Sequence, residues 1–397
     1  MAAENRLAQG RPPVPVLYVL DELRNAGAGT ETQFLRLLRN LDRGRFTPSV
    51  ALLRGDDRYF AGLADVHVDV LGIRSLRTMN FLSEALQLAR RMRSGRVGIA
   101  HVYLNDAAIA LPSFLRLGGA KVIVSRRDLG FWYTPSNLRL LRAQRFAVSA
   151  VIANCDAVKQ SVVQHEGYSP DRIAVIENGF EQRSELLGRS EARRRLGIEI
   201  QRPVVTIVAN LRPLKRIADA IQAIAAVREE FPQILLQLVG EDPPHRGSQS
   251  HGQEMRQLAA SLGIAGHVSF VGSQSDPMPY IEAADACMLC SETEGLSNSV
   301  IEYLWAGKAV IATDVGGNPE LISQGRTGFL VPVGDVRQMA DRLRVVLGSE
   351  GPVMGQRARE HAVSNFSTHV MAQRHADLYE RVLNGGGEGA GVAVRTS

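Results

Sequence analysis

Short apolar runs alternate along this chain with segments of helical spacing. Strand-length runs stand over 15–20, 49–53, 66–71, 97–102, 121–125 and 150–153. Between most of them the apolar positions fall three and four apart, as Phe34, Leu35, Leu37, Leu38 and Leu41 do over 31–41, which is the spacing of one helical face. A small-residue loop, Asn25-Ala26-Gly27-Ala28-Gly29-Thr30, joins the first run to that helix. Continuous rather than alternating runs predict strands buried on both faces, and their alternation with helices predicts a doubly wound parallel sheet. The pattern restarts over 204–209, 234–239, 268–271, 286–289, 309–313 and 328–331, with helical spacing over 217–229 and 254–262. That predicts a second sheet of the same kind. Two domains are expected, over 1–183 and 203–367, joined by a charged linker at 184–202 in which Ser190 caps a short helix over 190–196. A last helical pattern covers 368–383. The ends, 1–14 and 384–397, are polar or glycine-rich and are expected to be disordered.

Composition narrows the class. The chain has 397 residues, 45% apolar and 22% charged, as expected for a globular protein of two domains. No apolar stretch approaches the roughly 18 residues that span a bilayer. The first fifteen residues lack the apolar centre of a secretory leader, so the expected compartment is the cytoplasm. Three cysteines do not make a disulfide framework. Cys287 and Cys290, three apart in a strand, face opposite sides and read as buried thiols. His245 and His251 flank a polar loop with no Cys or carboxylate cluster to complete a metal site. The net charge of +5 is uneven. Thirteen Lys and Arg stand between Arg74 and Arg145 against Glu84, Asp106 and Asp128. That basic half implies an anionic partner. Helix-turn-helix, RNP and zinc-finger patterns are missing, so nucleic acid is not expected, and an anionic membrane surface or lipid-linked acceptor is. A G-x-G-x-x-G run with an acid some 20 positions on is also missing, which disfavours a dehydrogenase.

The most informative segment is 286–306. An apolar strand leads into Ser291-Glu292-Thr293-Glu294-Gly295-Leu296-Ser297-Asn298-Ser299, and an apolar helical pattern follows. The start of such a helix offers unpaired N–H groups and a positive dipole end, a ready site for phosphate. Glu294 stands on the loop before it. Glu302 lies eight positions on, about 7 Å inside the helix along its axis at 1.5 Å per residue. A ligand with a central diphosphate, a sugar on one side and a ribose on the other fits that layout.

This segment resembles the E-x7-E signature of retaining glycosyltransferases of family 4, which have the GT-B fold. The likeness continues through Trp305-Ala306-Gly307-Lys308-Ala309-Val310-Ile311-Ala312-Thr313, through Gly316-Gly317-Asn318-Pro319-Glu320-Leu321-Ile322, and through Gly325 to Val331 with Thr327-Gly328. The loop 210–216, Asn210-Leu211-Arg212-Pro213-Leu214-Lys215-Arg216, resembles the family's R-L-x-x-x-K-G element, with Arg216 in place of the glycine. Gly29-Thr30-Glu31 is similar to its G-G-x-E loop, with Ala28 in place of the first glycine. Ile176-Glu177-Asn178-Gly179-Phe180 resembles a hinge segment, and Val239-Gly240-Glu241 a backbone turn. His101 resembles the histidine of D-x-x-H. Ser125-Arg126-Arg127-Asp128 departs from the usual T-x-H-D, since Arg127 stands where the histidine does.

The resemblance implies an α/β fold of two doubly wound Rossmann-like domains facing a central cleft, with 368–383 crossing back to the first. It implies a retaining glycosyltransferase whose closing cleft excludes water. Gly29, Arg212, Lys215, Glu294, Gly295, Leu296, Ser297, Asn298, Ser299 and Glu302 would bind the donor, and Glu294, Lys215, Arg212, His101, Arg127 and Asp128 would form the catalytic set. A guanidinium is no base near neutral pH, so Arg127 suits an anionic acceptor or a phosphate. Gly130-Phe131-Trp132-Tyr133 suits an acceptor platform or a membrane-facing patch. The donor expected is a nucleotide-diphospho-sugar, with UDP-sugar as the default, and the acceptor a glycan or lipid-linked molecule of cell-envelope or exopolysaccharide synthesis. No D-x-D motif is present, so neither metal nor cofactor is expected. Alternatives are a degenerate GT-B protein that only binds sugar nucleotides, and a GT-B sugar-nucleotide epimerase or phosphorylase. The expected location is the cytoplasm, peripheral on the inner membrane face.

Overall fold

A computed structural model of the chain describes residues 12–23, 29–76, 78–103, 105–181, 186–243 and 250–385. It divides into one unit of 1–179 with 368–397 and a second of 180–367. In the first, strands β1 (Val14–Leu20), β2 (Phe46–Leu52), β3 (His67–Val70), β4 (Ile99–Val102), β5 (Lys121–Arg126), β6 (Val148–Ala153) and β7 (Ile173–Val175) form a seven-stranded sheet in the order β3-β2-β1-β4-β5-β6-β7. Every pairing is parallel. The order reverses direction between β1 and β4.

Two features of this sheet were not legible in the hydrophobic pattern. Strand β7 has only three residues, too few to show a period. Pro48 argues against a strand start at Phe46, because proline cannot donate to a ladder. However, β2 pairs with β1 from Phe46 onward and with β3 only from Ser49. Pro48 therefore lies where β2 has one neighbour. The helix Thr368–Leu383 belongs to this unit, and its Met371, Ala372, Ala376, Leu378, Tyr379 and Val382 are buried in one cluster with Val16, Phe34 and Phe46.

In the second unit, β8 (Val204–Val208), β9 (Leu235–Val239), β10 (Val268–Gly272), β11 (Ala286–Leu289), β12 (Ala309–Thr313) and β13 (Gly328–Val331) form a parallel sheet in the order β10-β9-β8-β11-β12-β13. Here the order reverses between β8 and β11. Strand β11 is buried along its whole length. Cys287 and Cys290 are buried free thiols, and burial raises both, Cys290 to about 12.

The stretch 186–202 is not a solvated linker; it is part of the second unit. Arg193 is 0% exposed. It donates to the carbonyls of Ala283 at 2.8 Å, Ile200 at 2.6 Å and Arg202 at 2.8 Å, and pairs with Asp285 at 2.7 Å. A run of arginines reads as a solvated face, but these partners neutralise and satisfy one of them inside. The helix there is Arg189–Leu196, with Gly188 and not Ser190 before it, and no side chain caps it. The chain passes between units at Gly179–Phe180 and Ser367–Thr368. No helix among the described residues is long and apolar enough to cross a membrane. The expectations for residues 1–11, Gly27, Ala28, His245 and 386–397 lie outside the described residues.

Candidate active site

In open parallel sheets, ligands bind beyond the carboxyl ends of the strands where the strand order reverses. In the second unit those ends belong to β8 and β11. The loop after β8 is tied down by backbone: Leu211 N donates to Glu241 O at 2.7 Å, and Asn210 Oδ1 accepts from Glu241 N at 3.2 Å. A Cβ on Gly240 would stand 2.0 Å from Ala209 O, so Val239-Gly240-Glu241 serves as backbone support. Pro213–Lys215 forms a single 3-10 turn. Arg216 then takes φ 48° and ψ 44°, a left-handed conformation that glycine adopts freely and other residues adopt under strain. Two bonds from its guanidinium to Asp219, at 2.7 and 3.1 Å, offset that strain. Arg212 is exposed at the start of the turn.

This turn delivers Lys215 to Glu294, with Nζ 2.6 Å from Oε1. Their side chains are 22% and 13% exposed. Ser291 Oγ donates to the same carboxylate oxygen at 2.6 Å, and Glu292 N donates to Leu214 O at 2.8 Å, which joins the two loops. Behind them, Gly317 N donates to Gly295 O at 2.7 Å. A Cβ on Gly316, whose φ is +54°, would lie 1.9 Å from Glu294 O. Gly316 is thus what lets a second loop support Glu294 from the back.

The helix Asn298–Trp305 follows, capped by Ser297, whose Oγ accepts from Val300 N at 3.3 Å. Ser299 Oγ donates to Val208 O at 2.8 Å, and Tyr303 OH accepts from Val208 N at 2.6 Å. These bonds anchor the start of the helix to the end of β8. Leu296 is buried, and Gly295, Asn298 and Glu302 are half-buried. Glu302 lies five residues past the cap. Ser291 and Tyr303 were missed as site residues by sequence reasoning, because nothing in their spacing announces a contact with Glu294 or with β8.

The other half of the predicted catalytic set lies in the first unit. His101, on β4, is 0% exposed. Its Nδ1 meets Tyr379 OH at 2.6 Å and its Nε2 meets Ser125 Oγ at 2.8 Å. Burial, with the nearby His375 and Arg127, drives its pKa well below the ordinary value. His101 is therefore a neutral strut of the core with both nitrogens engaged, and the expectation that it meets substrate is corrected. Asp128 Oδ1 accepts from Gly130 N at 2.7 Å and Trp132 Nε1 at 3.2 Å. It organises the 128–133 loop, and burial raises its pKa. The aromatic trio divides: Phe131 is 85% exposed, whereas Tyr133 OH donates to Glu166 at 2.6 Å and Trp132 faces Arg126 at 6.0 Å.

Arg126 and Arg127 also divide. Arg126 is neutralised by Glu166 at 2.6 and 2.9 Å. Arg127 is half-buried and donates to Asn178 Oδ1. Among the described residues no carboxylate pairs with it, and burial lowers its pKa. Gly29 opens the helix Gly29–Asn40. Asp21, also missed by sequence reasoning, accepts from the N–H groups of Asn105, Asp106 and Ala107 at 3.1, 3.0 and 2.7 Å. It secures the start of the helix Asn105–Ala110. Among the described residues, no group of three or more His, Cys, Asp and Glu is placed to hold a metal ion.

Comparison with known proteins follows this architecture. Residues 27–182 match the family described as Glycosyltransferase Family 4, and residues 188–363 the family described as Glycosyl transferases group 1. The chain is 30% identical over 233 residues to N-acetyl-alpha-D-glucosaminyl L-malate synthase of Bacillus anthracis, over 57% of this chain and 59% of that protein. It is 31% identical over 256 residues to D-inositol 3-phosphate glycosyltransferase of Corynebacterium efficiens, over 60% and 59%. The chain thus spans less than two thirds of the length of these curated relatives. The crystal structure of Anabaena Alr3699/HepE in complex with UDP superposes with a TM-score of 0.80 at 22% identity, over 92% of this chain and 100% of that one. The same protein in complex with UDP-glucose gives 0.76, again at 22% identity, over 92% and 99%. With two parallel doubly wound units of this fold, each matched by a glycosyltransferase family, the chain belongs to glycosyltransferase family 4 and has the GT-B architecture.

Proposed function

We propose that this protein is a retaining glycosyltransferase. It moves a sugar from a nucleotide-diphospho-sugar, with uridine diphosphate as the carrier, to a glycan or lipid-linked acceptor in cell-envelope or exopolysaccharide synthesis. Its place of work is the cytoplasm, at the inner face of the membrane. The observation that carries this reading is the 2.6 Å contact of Lys215 Nζ with Glu294 Oε1 at the strand-order reversal of the second sheet, beside a capped helix start. The UDP and UDP-glucose bound by the Anabaena neighbour support the choice of donor.

An ammonium has three donors. Lys215 can keep one on Glu294 and turn the others to a phosphate oxygen. With Arg212, it stabilises the charge that grows on the leaving diphosphate, in the place that a divalent ion would otherwise fill. Backbone N–H groups of Asn298 and Ser299 add the positive end of the helix. Glu294 accepts from hydroxyls of the sugar and Glu302 from the ribose. In the reaction the bond from the anomeric carbon to the phosphate oxygen breaks, and its electron pair leaves with the nucleoside diphosphate. The acceptor oxygen forms the new bond on the same face, and its proton passes to the leaving phosphate. The acceptor is assigned to the first unit. There Arg127, half-buried and without a carboxylate partner among the described residues, supports an anionic group on it. Two relatives are named for L-malate and for inositol 3-phosphate, both of which are anionic molecules.

Thermal shift with UDP, GDP, ADP and TDP tests the donor. At 100 times its dissociation constant a ligand stabilises by about 2.7 kcal/mol. UDP should shift the wild type and shift Glu302→Ala less, and anomeric NMR of the product should show retention. No shift with any nucleotide would sink the reading.

A further inference from the structure

The first unit contains a cavity of about 270 Å³ that the transferase reading does not use, lined in part by Arg142, Arg145, Phe146, Tyr168 and Arg172. Its three guanidiniums are held by uncharged carbonyls. Arg142 Nε donates to His165 O at 2.8 Å. Arg145 donates to Arg142 O at 3.1 Å and to Gly167 O. Arg172 donates to Val148 O, and at 3.4 Å to Arg145 O. A guanidinium has five N–H groups, so each retains donors. One account is that Arg142 and Arg145 merely cap the carboxyl end of the helix Asp156–Glu166, where the dipole favours cations. That accounts for the contacts and leaves the charge. Among the described residues no carboxylate pairs with Arg142, Arg145 or Arg172. Glu166 is already taken by Arg126. The neighbouring Asp171 accepts from Ser169 Oγ.

Sequence and exposure extend the feature. Between Asp128 and Asp156 the chain carries Arg139, Arg142 and Arg145 and no acid. Arg139 is exposed one turn before Arg142 on the helix Pro135–Gln144. Phe146, beside the arginines, is 80% exposed. A site for a free phosphate gains nothing from a phenyl ring held in water. A bilayer surface does, because cations meet the headgroup phosphates while an aromatic ring enters the apolar boundary. We propose that this face docks on an anionic phospholipid surface, with a headgroup phosphate in the arginine cavity and Phe146 in the membrane boundary. The docking rests on the membrane-face location proposed above and leaves untouched the nucleotide site, which is assigned to the other unit.

Co-sedimentation of the full chain with phosphatidylcholine vesicles, with and without phosphatidylglycerol, tests this. Binding should need phosphatidylglycerol and weaken as salt rises. Replacing Arg142, Arg145 and Arg172 by Gln should lower binding on the order of 100-fold, at about 1 kcal/mol per cation near the surface. Because Arg172 also supports Val148, the doubly exposed variant Arg139→Gln/Phe146→Ser provides a check without internal bonds, and it should bind several-fold more weakly. Nucleotide-dependent thermal shifts should be the same in every variant, which separates failure here from failure of the transferase reading. Equal binding to pure phosphatidylcholine, or equal binding by the variants, would each overturn the proposal.

Discussion

Replacing Lys215 by Met removes the cation and keeps most of the apolar stem. In the resting protein it leaves Glu294 with Ser291 Oγ as a partner. The pair is 22% and 13% exposed, between the surface and the buried limits. A charge-assisted hydrogen bond in that setting contributes about 1.5–3 kcal/mol. The desolvation relieved when the ammonium goes returns part of that, so the stability cost should be about 1–2 kcal/mol. In a folded region near 200 residues this lowers the melting temperature by several degrees, at about 2–4 °C per kcal/mol. The catalytic cost should be larger. A preorganised group aimed at developing charge is worth about 2.7–4 kcal/mol, or roughly 100- to 1,000-fold in kcat. Steady-state release of UDP from a UDP-sugar, with acceptor present, reads kcat and KM separately. If Lys215 acts on the leaving diphosphate, kcat falls more than KM rises. A fall in kcat of less than tenfold, with a proportionate rise in KM, would refute the reasoning and leave Lys215 as a ground-state binding group.

Three other outcomes are expected. Gly316→Ala places a methyl 1.9 Å from the Glu294 carbonyl oxygen at a positive φ; it should cost about 1–3 kcal/mol and abolish the UDP-dependent thermal shift, and an unchanged shift would refute its supporting role. Arg127→His should lower kcat/KM for an anionic acceptor about 10- to 100-fold, the worth of a charged hydrogen bond, with UDP affinity unchanged; equal use of neutral and anionic acceptors by the wild type would count against it. Burial lowers the pKa of His375 to about 4, against about 6.5 in the unfolded chain. The unfolded state then takes up a proton that the folded state refuses, so stability present above pH 6.5 is lost as pH falls toward 4, by up to about 3 kcal/mol. His101 acts in the same direction. Urea midpoints between pH 7 and 4.5 should fall more steeply for wild type than for His375→Gln, and equal slopes would exclude this source.

Much of the architecture was legible because buried parallel strands are continuous apolar runs, which a one-dimensional pattern records. Strand β11, the helix after it and the helix Thr368–Leu383 all appear that way. Glu294, Glu302 and Lys215 were legible as residue types in an ordered set of motifs, since a loop between a strand and a helix is short enough for spacing alone to define it. Partnership was not legible. Lys215 and Glu294 are 79 positions apart, His101 and Tyr379 are 278 apart, and no local period links such pairs. The sequence made His101 a candidate for chemistry and 184–202 a linker, because a polar side chain seen alone reads as available. Only the tertiary structure shows which polar groups are already satisfied. His101, Arg193 and Asp128 are consumed by internal partners, while Arg127 has no carboxylate among the described residues. The physical reason is that burial and charge compensation depend on neighbours in space, and those are set by strand order and not by distance along the chain.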